Sequence, residues 1–255
     1  DTFLRNMADG GLHSNKLGKK MFDSIVQAYD GKELGLKKFI QAYLACIAAV
    51  DENVGNVLKA LEENNLDKNT IVVLTSDHGF HMGEKDYLYK NSLWEESTRV
   101  PLIIRAPGIS IPGKVDRAVS LIDIYPTLLD LAELPKNTLK NKLGHSLDGH
   151  SMKGLLENPK IGNWSGPEVA LSLIHSGPDY ADDPTMQHYT IRTNRYRYIL
   201  YNTGQEELYD HHNDPNEWKN LALKISKNDY IIKEMRDKLK KITDPHQLKG
   251  LSYTD

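Results

Sequence analysis

"VVLTSDHGFHMGE" occupies residues 72–84. An apolar, β-branched run, "TIVVLTS" over 70–76, stops at Ser76, and Asp77, His78 and Gly79 follow without a spacer. A run with no polar alternation suits a parallel strand covered on both faces. "VPLIIRAPG" at 100–108 has the same texture and closes on a Pro-Gly turn. Upstream, residues 37–64 repeat Ile40, Leu44, Ile47, Val54, Leu58 and Leu61 at helical spacing. Downstream, 120–135 reads as a helix with Ser120 as its cap and Pro126 at an early turn or kink. Helix, strand, loop, strand, helix is the rhythm of an open α/β sheet.

Ligands of such sheets bind beyond the carboxyl ends of the strands, which is where Asp77 and His78 fall. Adjacent side chains of an extended segment point to opposite faces, but a turn after Ser76, permitted by Gly79, brings them together. One anionic oxygen beside one imidazole nitrogen is workable chemistry for a divalent cation. The plainer alternative has Asp77 capping a turn and His78 bonded to loop backbone. Two ligands do not hold a metal firmly, so a metal reading requires further oxygens from elsewhere.

Composition narrows the function classes. A net charge of −3, from 32 basic and 35 acidic residues, gives no sign of nucleic-acid binding or of an acidic tail. Hydrophobic residues at 39% in 255 residues support a sizeable core. No apolar run approaches the roughly 18 residues that a membrane span needs. Cys46 is the single cysteine, which excludes an intrachain disulfide and a cysteine-built zinc site. Its place on the apolar helix predicts a packed core residue. The chain starts "DTFLRNMADGG", without Met or a signal-peptide core, as a processed or truncated product would. The pair His211 and His212 reads as a solvated turn rather than a metal site.

After about residue 136 the texture changes to polar and turn-rich, with "ENPKIGNWSGP" as a linker. This sets a large α/β domain over 1–165 and a small subdomain over 166–255. Short strands are predicted at 168–174, 188–193, 196–202 and 206–210, and their spacing with the "TGQ" turn suggests an antiparallel meander. A charged amphipathic helix over 228–243 would cover one face of it.

The stretch "VDENVGNVLKALEENNLDKNTIVVLTSDHGFHMGE…LYKNSLWEESTRVPLIIRAPG" closely resembles the sulfatase family of the alkaline phosphatase superfamily, and within it the iduronate-2-sulfatase-like branch. "IRTNRYRYILYNTGQEELYDHHNDPNEWKNLA" (191–222) resembles the family's small C-terminal subdomain, so the likeness runs from about 40 to 222. It implies an alkaline-phosphatase-like α/β/α sandwich with a small C-terminal antiparallel sheet plus helix. It further implies that Asp77 and His78 help bind a calcium ion, and that Lys90, 13 residues after Asp77, contacts the sulfate group. Phe80 stands where that branch has an aromatic residue facing the sugar, with packing under the loop as the alternative. His188 lies near a histidine common in relatives, with an exposed strand histidine as the alternative. Glu84 and Lys85 are read as solvated loop charges, Trp94 as loop packing, and Tyr189, Tyr196 and Tyr198 as a core face of the small sheet.

Family sulfatases carry a formylglycine made from a Cys or Ser in a Cys/Ser-X-Pro/Ala-X-Arg motif. Here Cys46 stands in "CIAAV", with Val50 in place of the arginine, and the family's paired N-terminal aspartates are absent. The resemblance therefore implies the C-terminal portion of a longer enzyme, inactive alone, whose missing segment or companion chain supplies the nucleophile and completes the sheet. In the complete enzyme the hydrated aldehyde attacks sulfur, the alcohol leaves, and the hemisulfate collapses back to aldehyde. Lys90 would neutralise developing charge and protonate the leaving oxygen. The expected substrate is a sulfated sugar or polysaccharide, and the expected location is periplasmic, secreted or lysosomal. Two other readings stand beside it: a phosphatase or phosphonate monoester hydrolase of the same superfamily, and a non-catalytic chain that binds sulfated glycans.

Overall fold

The computed structural model describes residues 13–135, 144–175, 183–227, 229–248 and 251. The chain start and the first part of the polar stretch after residue 136 lie outside them. Contacts divide the chain into two compact units that interleave along the sequence, one of Asp1–Asn56, His78–Val100 and Leu171–Asp255, the other of Val57–Asp77 and Pro101–Ala170.

The helices α1 (His13–Ala28) and α2 (Lys32–Glu63) come first. The long helix confirms the periodicity of 37–64, but its apolar stripe is not buried. Leu44, Ile47, Val50 and Val57 are exposed, and Cys46 is exposed with them. The expectation of a core cysteine is therefore overturned. Helical spacing establishes that a face is apolar, and among the described residues nothing covers this one.

In the second unit, β1 (Val72–Thr75) and β2 (Leu102–Arg105) pair antiparallel, with Val72 opposite Arg105 and Thr75 opposite Leu102. The parallel, doubly covered reading is corrected here. β1 is only half-buried and Ile103 is 59% exposed. An unbroken apolar run reports the chance of cover on both faces, and strand direction is set by the connection. Here the two strands are joined by a loop with only short helical turns, Glu84–Asp86 and α3 (Glu95–Thr98). Beyond β2, Ser120 and Asp123 form the expected cap, each side chain bonded to the other's backbone, ahead of α4 (Ile124–Leu131). Asp123 Oδ1 also accepts from His150 N at 2.8 Å, and Thr127 Oγ1 from Met152 N at 2.8 Å. These bonds tie the segment before α5 (Lys153–Glu157) to α4.

The first unit is built on the sheet β3-β4-β5-β6 (Ala170–His175, Gln187–Arg192, Tyr196–Leu200, Glu206–Asp210). β4, β5 and β6 run antiparallel in sequence, as the meander predicted, and Gly204 takes a φ of 83° in the "TGQ" turn. Tyr189 and Tyr198 are buried as expected. Helix α6 (Tyr230–Ile242) buries Ile232, Met235, Arg236 and Leu239, one face at helical spacing. Arg236 clasps Glu206 of β6 through Nε–Oε1 at 2.8 Å and a second bond to Oε2. Among the described residues no helix is long and apolar enough to cross a membrane.

Candidate active site

The loop after β1 carries Asp77, His78, Phe80 and Lys90, four of the residues singled out in the sequence. Gly79 N–H donates to Ser97 O at 2.9 Å, laying the loop on α3. A Cβ on Gly79 would stand 1.9 Å from Glu96 O, so glycine is required here by close approach rather than by a left-handed turn. His78 follows from that placement. Its Nδ1 lies 2.8 Å from Gly79 O and its Nε2 lies 2.8 Å from Lys90 Nζ. An ammonium only donates and a carbonyl only accepts, so Nδ1 carries the proton and Nε2 offers its lone pair to Lys90. The exposed Lys90 is thus presented by the imidazole. Asp77 is exposed and lies at the end of the other unit, with Ser76 Oγ 3.5 Å from its Oδ1. Of the residues singled out in the sequence, the structure brings His78 and Lys90 into contact.

Phe80 stacks on Phe39 with centroids 6.2 Å apart and meets Tyr89 edge-on at 6.3 Å, keeping part of its surface open. His188 is not an exposed strand histidine. It has no exposed surface, its Nδ1 accepts from Asn202 N at 3.0 Å, and its ring lies 5.3 Å from Tyr201. His81, in the same loop as Phe80, is also fully buried and sits edge-on to Tyr87 and Trp94. Burial first, and then the nearby Lys85 charge, lower its pKa to about 4. Neutral His81 bonds through Nε2 to Ser92 Oγ at 2.8 Å, and Ser92 Oγ donates onward to Ser97 Oγ at 2.8 Å.

Beneath this loop lies a buried ionic network that the sequence reading missed. Arg197 of β5 donates to Glu217 Oε1 at 2.6 Å, to Glu95 Oε2, and to Leu93 O at 3.1 Å. Arg192 Nε adds a bond to Glu95 at 3.2 Å. His211 is no solvated turn residue: its side chain is buried and its Nε2 lies 2.9 Å from Glu217 Oε1. Burial pushes the Glu217 carboxyl up, but Arg197 and the His211 bond outweigh it and hold it at about 2. Glu95, His211 and Glu217 are close enough to share a cation. Two arginines already occupy the carboxylate oxygens, so the cluster is a closed ion network and not an open metal site. Glu207 sits next to it, its pKa raised by burial, accepting from Trp94 Nε1 at 2.8 Å, Tyr209 OH at 2.6 Å and Tyr201 OH at 3.0 Å. The available signal was a charged residue, Arg197, set among tyrosines in a strand predicted to be core.

Two family descriptions match: Sulfatase over residues 11–134, and N-sulphoglucosamine sulphohydrolase, C-terminal, over residues 83–245. The chain belongs to the sulfatase family. A sulfatase of Formosa agariphila is 36% identical over 189 residues, covering 73% of this chain and 33% of that protein. Arylsulfatase K of Canis lupus familiaris is 36% identical over 200 residues, 77% of this chain and 36% of that protein. A solved structure of a protein in complex with its substrate D-glucosamine-2-N,6-O-disulfate superposes with a TM-score of 0.69 at 31% identity. That match covers 85% of this chain and 42% of the other. The mixed α/β architecture is accordingly the alkaline-phosphatase-like one of the sulfatases, and this chain spans about a third of the length of the two curated relatives.

Proposed function

We propose that residues 1–255 supply the sulfate-reading loop and the C-terminal subdomain of a formylglycine-type, calcium-dependent sulfatase acting on a sulfated sugar. The observation that carries this is the Lys90 ammonium held 2.8 Å from His78 Nε2 on the loop that leaves β1. A preorganised cation of this kind would stabilise charge on the sulfate oxygens, and Lys90 is also the proposed proton donor to the leaving oxygen. Phe80, partly open beside the loop, is the proposed face for the sugar ring. His188, buried within the small sheet, is left out of the substrate set. The relatives' names widen the expected iduronate-2-sulfatase-like branch to arylsulfatases and to enzymes of sulfated glucosamine. A periplasmic, secreted or lysosomal location is proposed on the same footing.

For calcium, Asp77 and His78 are the proposed donors. A carboxylate suits the ion, which takes about six to eight oxygen ligands, so two residues fit it in kind and not in number. The Nε2 lone pair that would serve a cation is the one Lys90 uses, so ligation and the Lys90 bond are alternatives at that atom. When bound, the ion would polarise the sulfate oxygens. The nucleophile and remaining donors are proposed to come from outside these residues, and the exposed apolar face of α2 supports cover from such a segment.

The test is turnover of an aryl sulfate and of an aryl phosphate by the complete enzyme, with and without a chelator. The expected result is sulfate-ester hydrolysis that chelation abolishes and that Lys90→Ala lowers at least ~10-fold. Preference for the phosphate ester would move the function to the phosphatase reading. Retention of a sulfated glycan without turnover of either ester would leave a binding chain.

A further inference from the structure

Lys85 precedes Lys90 by five residues in the same loop, and the sequence gives it no task beyond a surface charge. The structure gives it one. Its Nζ donates to the carbonyl of Glu217, the residue whose carboxylate anchors Arg197. The same ammonium lies 5.1 Å from the Trp94 ring centroid, 4.9 Å from that of Tyr209 and 5.9 Å from that of Trp218. A cation faced by three rings and a carbonyl is held strongly in place. The backbone at this contact is unusual as well. Lys85, Asp86 and Glu217 all adopt left-handed φ values, 58°, 55° and 56°, although none is glycine. Strain of that kind persists only where surrounding contacts enforce it, and it gathers where geometry matters.

The other flank of Lys90 is fixed to the same sheet. Trp94 Nε1 donates to the buried Glu207 at 2.8 Å, and Glu95 N donates to Glu217 Oε2 at 3.0 Å. Between the flanks, Tyr87, Leu88 and Leu93 are buried and Tyr87 OH donates to Asn91 O at 3.0 Å. Lys90 is therefore the exposed crest of a loop with one anchor before it and one after it, both on the β4–β6 subdomain.

We propose that Lys85 is a positioning residue that sets where Lys90 meets the sulfate ester, so that the C-terminal subdomain places the catalytic cation. The inference rests on the sulfatase reading for its chemistry, and on the contacts above for its geometry. Displacement of a reacting group by about 1 Å can cost on the order of 100-fold in rate.

Three variants of the complete enzyme test it, each followed by steady-state kinetics on an aryl sulfate and, after chelation frees His78 Nε2 for Lys90, by 15N NMR of the His78 imidazole. Lys85→Met keeps the stem and removes the ammonium. It should lower kcat roughly 10- to 100-fold, leave KM within about 2-fold, and move the His78 Nε2 resonance away from its Lys90-bonded value. Lys85→Arg keeps a cation among the rings and should restore most of the loss. Trp218→Leu changes a residue that is 58% exposed, leaves the core intact, and should lower kcat about 2- to 5-fold. Unchanged kcat and unchanged His78 resonance in Lys85→Met would overturn the proposal. So would a loss that arginine fails to restore, or a folded Trp218→Leu enzyme with unaltered kcat should Lys85→Met not fold. If the unmodified enzyme hydrolyses no sulfate ester, the sulfatase reading fails, and the His78 resonance in the variants decides the positioning role alone.

Discussion

Replacing Arg197 by methionine removes the centre of the buried network while keeping much of the side chain's volume. Arg197 is 2% exposed, and its guanidinium bonds to Glu217, Glu95, Leu93 O and Thr190 Oγ1. Its loss strands Glu217, which has no exposed surface, and weakens the partnering of Glu95. Breaking a buried ion pair from one side costs about 3–5 kcal/mol because a desolvated charge is left behind. Glu217 retains His211 and the Glu95 backbone N–H, and Glu95 retains Arg192, so the lower end, about 3 kcal/mol, is expected. Urea unfolding followed by tryptophan fluorescence reads this, since Trp94 lies in the adjoining cluster with Leu93, Ile199, Tyr201 and Tyr209. Acid gives a second signature. Glu217 falls from an ordinary 4.5 to about 2 on folding, so its contribution is complete above 4.5 and is lost as pH drops towards 2. Arg197→Met should flatten the stability curve in that window. A loss below about 1 kcal/mol, the worth of an exposed pair, would refute the reasoning.

Two further outcomes follow from the loop itself. His81 has a folded pKa near 4 against 6.5 unfolded, so the unfolded chain takes up the proton first as pH falls. Stability should decline between pH 6.5 and about 4, by up to roughly 3 kcal/mol from this residue, and His81→Gln should remove that slope in thermal unfolding across the range. Gly79→Ala would place a methyl 1.9 Å from Glu96 O, forcing the loop off α3. A loss of at least about 2 kcal/mol is expected, with the His78 resonance shifted, and a variant of normal stability would show that the loop is not held where described.

Much of the local structure was legible in the sequence because it depends on neighbours along the chain. The periodicity of 37–64, the Ser120 cap, the meander of β4–β6 and the apolar face of α6 were read from spacing and turn residues, and the structure contains each. The Asp-His-Gly step after β1 and Lys90 were legible as a motif, whereas the 2.8 Å contact of His78 with Lys90 came from the fold. What the sequence could not decide was anything set by partners distant along the chain. The direction of β1 against β2, the exposure of Cys46 and the α2 stripe, and the burial of His188 all depend on what packs opposite. The same holds for the charges. Lys85, Glu95, His211 and Glu217 look like surface residues one at a time, and only the fold brings them together around Arg197. Burial makes a lone charge costly and a matched set tolerable, so their meaning resides in the pairing, which tertiary structure alone supplies.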